Sequence, residues 1–138
     1  MAPWLIFMFV GAMDWGFYAY ALIATESAAR VACLYTSTST ADATDSTTAC
    51  NYAVGQLKRM PNVGTSCATS LGALSTTNPV YVSATYVASG ADTNAAAQVS
   101  VTYLTPIMIP MFLSKGSATP TLPGQVTITR TVQMRIRG

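Results

Sequence analysis

The chain begins with an almost uninterrupted run of apolar residues. Residues 2–25 contain one charged side chain, Asp14, and the first basic residue of the sequence is Arg30. About 20 apolar residues are enough to span the hydrocarbon core of a bilayer. A cleavable signal peptide is a poorer fit, because it has a basic start and a shorter apolar core. The pattern therefore predicts a helix of membrane-spanning length.

The helical pattern continues beyond the apolar run. Pro3 suits the first turn of a helix, and strong helix formers reach Tyr35, with Glu26 and Arg30 spaced as an i,i+4 ion pair. A helix over 3–35 is about 50 Å long at 1.5 Å per residue. This length exceeds the roughly 30 Å of a bilayer core, so we expect the outer part of the helix to pack on something else.

Aromatic side chains surround the predicted helix instead of forming one stripe. A helix that is apolar on every side is buried on every side, here by lipid or by copies of itself. Small residues along its outer part would allow close approach of another element. The residues predicted to pack along this helix are Pro3, Trp4, Phe7, Gly11, Trp15, Gly16, Ala21, Ala24 and Ala28.

Asp14 is the residue of the apolar run whose insertion into a membrane costs free energy. A carboxylate at the middle of a bilayer costs about 2.5–3.5 kcal/mol on insertion scales. One interpretation is that Asp14 pairs with a cation of a neighbouring subunit, an N-terminal amine or an Arg, with Glu26 and Arg30 as further charged residues of the same helix. The alternatives are a protonated carboxyl, or an N-cap at a helix break after Gly11.

Residues 36–49 form a Ser/Thr-rich segment whose charges are Asp42 and Asp45. Such a composition cannot bury a core, so it predicts a solvated linker. The linker would join a long hydrophobic helix over 1–36 to an exported head over 37–138. The hydroxyls of residues 36–48 are also candidate sites for an O-linked glycan.

A short amphipathic helix is predicted over residues 50–60. Its apolar positions follow helical spacing, and Lys58 and Arg59 lie near its carboxyl end, where the helix dipole favours cations. Pro61 stops it. The apolar positions are Tyr52, Ala53, Leu57 and Met60.

The rest of the head has the alternating pattern of β-strands. Strands are predicted over 80–87, 98–104 and 125–137, and residues 66–74 are a candidate edge strand. Arg130 interrupts the apolar face of the last strand, which indicates either a bulge or a partly buried cation. The predicted fold class is α+β, with a long N-terminal helix, a short helix and a small antiparallel sheet of three or four strands.

A second strongly apolar segment, residues 104–113, carries two prolines that exclude a central strand. It either closes one end of the core or forms a contact between subunits. Methionines beside Ile and Phe suit an adaptable contact. The residues of this possible contact are Ile107, Met108, Ile109, Met111 and Phe112.

The three cysteines are Cys33, Cys50 and Cys67. Export would place them in an oxidising compartment. We expect a Cys50–Cys67 disulfide, with Cys33 as a buried thiol, and Cys33–Cys50 is the competing pair. The sequence has no histidine and no C-x-x-C spacing, so no metal site is predicted.

Composition narrows the function classes. Charged residues make up 9% of the chain and the net charge is +2, so there is no basic stripe for nucleic acid. Without histidine, a Ser-His or Cys-His nucleophile cannot be assembled, and no phosphate-binding glycine motif occurs. We therefore expect no enzymatic activity and no cofactor.

The N-terminal segment resembles the first helix of TadE-like pseudopilins, the minor pilin family of tight-adherence (Tad) pili. The resemblance covers about a quarter of the chain. It rests on Pro3, Gly11, the triplet Asp14-Trp15-Gly16 and the segment Ala28-Ala29-Arg30, where the usual acid of the family is Glu. The final strand, TITRTVQMRI, is weakly similar to the family's closing strand.

The resemblance implies a type IV pilin-like protein. Such subunits begin as single-span inner-membrane proteins, usually lose a leader to a peptidase, and then bundle their long helices into a filament core. A processed pilin usually carries Glu at its fifth position, whereas this chain has Leu5, and no basic leader precedes Met1. Met1 is therefore either a processed start or the start of an unprocessed member, and in the first case Asp14 would take over charge pairing.

Three functions compete at this point. The first is a structural subunit of an extracellular filament, with copies of itself as partners and the inner membrane as its location before assembly. The second is a membrane-anchored minor pilin or priming component that works with other pilins and the assembly machinery. The third is a single-span surface binding module, which predicts a ligand cleft within residues 62–124.

Overall fold

A computed structural model describes residues 2–106 and 126–137. It contains two α-helices, α1 (Ala2–Thr36) and α2 (Ser46–Leu57), and three strands, β1 (Val80–Val87), β2 (Ala96–Leu104) and β3 (Thr127–Arg135). Two 3₁₀ helices, Asp42–Thr44 and Leu71–Ala73, lie in the connections. The predicted α+β layout, a long apolar helix joined to an antiparallel head, is confirmed.

The two halves of α1 have different environments. Every buried side chain of the helix lies at residue 21 or later. These side chains are small, so the helix backbone lies close to the head, and the hydroxyl of Thr25 donates to the carbonyl of Ala21 at 2.7 Å, which satisfies a buried polar group. The buried residues are Ala21, Thr25, Ala28, Ala29, Ala32, Cys33 and Thr36.

The connection after α1 is largely exposed, as a solvated linker would be, but it is folded and contains the 3₁₀ helix Asp42–Thr44. The carboxylate of Asp42 accepts hydrogen bonds from the hydroxyls of Thr38 and Ser39 at 2.7 and 2.8 Å, which lowers the pKa of Asp42. The side chain of Ala43 is fully buried. Low-complexity polar residues are ordered here because their hydroxyls bond locally and one alanine anchors the turn to the core.

The folded connection also limits where a sugar could be attached. Thr36 and Ser37 are buried, and the hydroxyls of Thr38 and Ser39 are held by Asp42. An O-linked glycan within residues 36–48 therefore stays a prediction for the exposed hydroxyls, such as Thr40 and Thr47.

Helix α2 begins at Ser46, four residues before the predicted start, because Asp45 caps it. The Asp45 carboxylate accepts the backbone N–H groups of Thr47 and Thr48 at 3.0 and 3.1 Å. These bonds satisfy donors that have no partner within the helix. The apolar periodicity of α2 begins only at Cys50, so the first turn of the helix has no signal in the hydrophobic pattern.

The buried face of α2 packs on α1 and the sheet. Ala49, Ala53, Val54 and Leu57 are buried, and Met60 is buried just beyond the end of the helix. The predicted apolar spacing of this helix is therefore confirmed for its buried positions. Tyr52, which is half-buried, stacks on Tyr35 of α1 with ring centroids 3.5 Å apart.

The sheet has the strand order β1-β2-β3, and both pairings are antiparallel. Strand β1 has the predicted bounds, β2 begins two residues earlier than predicted, and β3 is shorter at both ends. The predicted edge strand at 66–74 is wrong. That segment holds the 3₁₀ helix Leu71–Ala73, and the N–H of Ala68 donates to the carbonyl of Val80 at 2.7 Å.

One face of the sheet packs against both helices. The largest side chain of this face is Tyr103, which is fully buried. Its hydroxyl donates to the carbonyl of Pro61 at 3.0 Å, and burial raises the pKa of Tyr103 to about 12. The other buried residues of this face are Val80, Val82, Ala84, Ala97, Val99, Val101 and Ile128.

Arg130 lies neither at a bulge nor in a partly buried position. The pairing of β3 with β2 is continuous, and Arg130 lies opposite Val101 on the helix-facing side. The residue is nevertheless exposed. Because β3 is an edge strand in the described part of the chain, a long side chain there reaches water past the helices.

The predicted disulfide is confirmed between Cys50 and Cys67. It ties α2 to the segment that precedes β1. Cys33 is a free buried thiol, also as predicted. Its sulfur donates to the carbonyl of Ala97 at 3.3 Å, so it behaves as a small core residue with a weak hydrogen bond.

Removing the disulfide should weaken the head without unfolding α1. The bridge closes a loop with a sequence separation of 17 residues, and loop-closure entropy gives about 3 kcal/mol for a loop of this size. The double variant Cys50→Ser/Cys67→Ser should lose about that free energy of unfolding, measured by denaturant titration of the head in detergent.

Thiol labelling checks the same pairing. Without reductant, the native protein should take up no alkylating reagent, and the denatured protein should take it up at Cys33 alone. Labelling of Cys50 in unreduced protein would contradict the bridge.

The Asp45 cap should make stability depend on acid pH. Its hydrogen bonds with Thr48 and Thr47 hold the pKa of Asp45 below the usual 3.8. The stabilisation is therefore complete above pH 3.8 and is lost as pH falls through the lowered pKa of the folded state. We expect Asp45→Ala to lower the thermal midpoint at neutral pH, and the difference from the wild type to shrink as the solution is acidified.

Asp45→Asn is the matched control for the cap. It keeps an acceptor for the helix N–H groups but has no carboxyl to titrate. Its stability should fall less steeply with acid than that of the wild type. An Asp45→Ala protein with the same midpoint as the wild type at neutral pH would rule out the cap.

Candidate functional site

The N-terminal half of α1, residues 2–16, projects from the head as a bare apolar helix. We call it the bare half. Trp4 is 67% exposed and Trp15 is 75% exposed. In the described part of the chain, α1 is the one helix long and apolar enough to cross a membrane, judged by length and composition. The large apolar residues exposed here are Trp4, Leu5, Ile6, Phe7, Met8, Phe9, Met13 and Trp15.

The head begins at the level of Phe17. Phe17 and Tyr18 are half-buried and pack against the core cluster, and Ala21 is the first fully buried residue of the helix. The bare half and the head-bound half are therefore parts of one continuous helix. No linker separates the bare half from the head, so the direction of the bare half fixes the orientation of the head.

The structure divides the residues predicted to pack along the helix into two groups. Ala21 and Ala28 are fully buried within their own subunit, and Ala24 is half-buried against the same core. The others lie exposed on the bare half and have no packing partner among residues 2–106 and 126–137. These exposed residues are Pro3, Trp4, Phe7, Gly11, Trp15 and Gly16.

Nothing in the described part of the subunit packs against Gly11 or Gly16. A Cβ atom built on either residue would meet nothing within 4 Å. A glycine in a helix interior costs about 0.5–1 kcal/mol relative to alanine. In membrane-spanning helices small residues occur where another helix approaches closely, and an approach of this kind would account for both positions.

Asp14 is exposed on the bare half, three residues before Phe17, where the head begins. The helix is continuous from Ala2 to Thr36, so the alternative of an N-cap at a break after Gly11 is wrong. Within the described ranges the ion pair that forms is Arg30 with Glu26, a one-turn surface pair of small energetic weight. Asp14 therefore has no ionic partner among the described residues of its own chain.

Metal ligands and surface depressions are the other candidate features of the described residues. Across the described ranges, no group of three or more His, Cys, Asp or Glu residues could hold a metal ion. Two surface depressions are present. One lies between α1 and the end of α2, and the other is lined by Ser37 and residues 134–137. Neither involves residues 62–124, where a binding module would need its cleft, although part of that range lies outside the described residues.

The possible subunit contact also lies outside the described residues. It comprises Ile107, Met108, Ile109, Met111 and Phe112. Its role stays a prediction. Leu104, at the start of the same apolar segment, ends β2, and its N–H donates to the carbonyl of Pro79 at 2.8 Å.

No protein-family model, curated protein or solved structure matches this chain. Sequence patterns could not show that the carboxyl end of α2 lies against α1. Its cations, Lys58 and Arg59, lie beside α1 just above the bare half.

The bare half should drive association while the head folds without it. We expect a chain that begins at Phe17 to keep its fold and to be monomeric without detergent, because the deleted residues make no contribution to the core cluster. The full chain should associate as soon as detergent is removed. Light scattering coupled to gel filtration measures both states, and far-UV circular dichroism checks the fold.

Two results would contradict this division of the helix. One is a full chain that remains monomeric without detergent. The other is a truncated chain that loses its cooperative unfolding transition, since that would place residues 2–16 in the folding unit of the head.

Proposed function

We propose that this chain is a structural subunit of an extracellular filament. The helix α1 anchors it in the inner membrane before assembly and packs in the filament core afterwards. The observation that carries the proposal is the bare half. It has exposed apolar side chains on every side, and it continues without a break into the part of α1 that is buried in the head.

The energetic argument concerns what covers the bare half. Burying one large apolar side chain contributes about 1.5–3 kcal/mol, and eight such side chains are exposed there: Trp4, Leu5, Ile6, Phe7, Met8, Phe9, Met13 and Trp15. An exposed apolar surface of this extent marks a membrane or protein contact. Lipid covers it in the precursor, and other copies of the same helix cover it in a filament.

Three features favour self-assembly over a permanent anchor. An anchor that only faces lipid has no need for Gly11 and Gly16, which are open to a close neighbour. It also has no need for Asp14, which is costly in lipid unless a partner neutralises it. Finally, a chain with 9% charged residues has little charge repulsion between closely packed heads.

The resemblance to TadE-like pseudopilins supports the same class of function. The residues that carry it, Pro3, Gly11 and Asp14 to Gly16, lie on the bare half, where a filament-forming helix presents its contacts. Ala28 and Ala29 are buried against the head. In a pilin-like subunit this arrangement would fix the head relative to the filament axis.

A membrane-anchored minor or priming component is the second candidate. The observation that favours it is the same resemblance, since TadE-like proteins are minor pilins. Such a subunit would use the same helix to join a filament that is built mainly from another protein. Abundance in the fibre separates this candidate from the first.

Fibres sheared from the native cells test the proposal. We expect thin filaments by electron microscopy in which mass spectrometry finds this chain as the main protein, and the intact mass locates its N-terminus. If the fibres contain the chain only in traces beside another pilin, it is a minor component. If it stays wholly in the membrane fraction, the filament proposal fails.

A further inference from the structure

A groove runs between α1 and the carboxyl end of α2, just above the bare half. Three of its lining residues are small: Ala24 and Ser27 from α1 and Gly55 from α2. A Cβ atom built on Gly55 would meet nothing within 4 Å, so this side of α2 is open. The remaining lining residues are Tyr20, Ile23, Gln56, Lys58 and Arg59.

The groove carries two positive charges without an ionic partner in the described part of the chain. Lys58 is the C-cap of α2, and both Lys58 and Arg59 are exposed. The ion pair of the described residues is Arg30 with Glu26. A lining that combines small residues with two cations suits an incoming helix that has an acidic side chain.

We infer that this groove receives the bare half of a second copy, whose Asp14 pairs with Lys58 and Arg59. The inference rests on the proposed function and names the contact that would build the filament. Asp14 is the one acidic residue of the bare half. Long Lys and Arg side chains can lay their apolar stems along a neighbouring helix while their charged ends reach a carboxylate.

The spacing along α1 defines the stagger of the two copies. Tyr20 and Ser27, which bound the groove along the helix, lie about 9 and 20 Å from Asp14 at 1.5 Å per residue. Two parallel copies that are shifted by a distance in this range place Asp14 of one beside the groove of the other. In this arrangement Gly11 and Gly16 lie near the contact and allow close approach of the helices.

The other described cations are poorer partners for Asp14. Arg30 already pairs with Glu26. The N–H of Arg137 donates to the carbonyl of Ser37 at 3.0 Å, so Arg137 and the nearby Arg135 lie at the far end of the head from the bare half. Arg130 is on β3 and does not line the groove.

Charge reversal tests the pairing. Asp14→Lys and Lys58→Glu/Arg59→Glu should each abolish the filaments in the sheared fraction. Combining the three substitutions should restore them, because the charges are again opposite. The amount of each variant in the membrane fraction is measured in parallel, so that a failure of insertion is separated from a failure of assembly.

The matched control uses the cations at the other end of the head. Arg135→Glu/Arg137→Glu combined with Asp14→Lys should not restore filaments. Three results would each overturn the inference and leave the proposed function standing. They are filaments of wild-type yield from Lys58→Glu/Arg59→Glu, restored filaments when Arg135→Glu/Arg137→Glu is combined with Asp14→Lys, and no restored filaments from the triple variant. If the wild-type chain forms no filaments, both fail.

Filling the groove tests the contact without changing any charge. Gly55→Leu places a side chain into open space on an exposed helix position, so the monomer should fold with an unchanged or higher thermal midpoint and lose its filaments. Asn51→Leu adds the same side chain to an exposed position of α2 that does not line the groove and should keep them. A Gly55→Leu protein that assembles like the wild type would overturn the inference.

Discussion

The packing requirement of one apolar helix governs this molecule. In the first half of α1, large side chains point outward in every direction, and residues 2–106 and 126–137 cover almost none of them. Water is a poor solvent for such a surface, so the helix has to be covered by lipid or by other protein. Because the same helix continues into the core of the head, whatever covers its first half also positions the head.

The head is built around the second half of the same helix. The second half of α1 has small buried residues, such as Ala28 and Ala32, that bring the helix close to the sheet. The Cys50–Cys67 bridge, the Asp45 cap and the stacking of Tyr35 on Tyr52 hold the short helix in place. These contacts fix the position of the end of α2 next to the bare half. Lys58 and Arg59 lie exposed at that end.

Much of this architecture could be predicted from the sequence, since the strongest patterns are local. The apolar run gave the bounds of α1 within one residue, and alternation located the three strands. The folded connection after α1 could not be predicted, because its order depends on hydroxyl bonds to Asp42 and on burial of Ala43. The start of α2 did have a signal, since Asp45 before a Ser-Thr-Thr run is a common N-cap pattern.

The candidate site was predicted only in part. The apolar character of the bare half and the isolation of Asp14 are visible along the chain. The groove is not, because it depends on how α2 folds back against α1. Local spacing relates Lys58 and Arg59 only to their own helix, and their nearness to Tyr20 appears when the fold is complete.

Hydroxyl-radical footprinting of lipid-free sheared fibres tests the central claim most directly. Mass spectrometry compares oxidation of Trp4, Met8, Met13 and Trp15 on the bare half with oxidation of Tyr86, which is 43% exposed on the head. If copies of the helix cover one another, the four side chains should be protected in fibres and reactive in the dissociated chain, while Tyr86 reacts in both. Oxidation of Met13 and Trp15 in intact fibres at the rate of the dissociated chain would contradict the account.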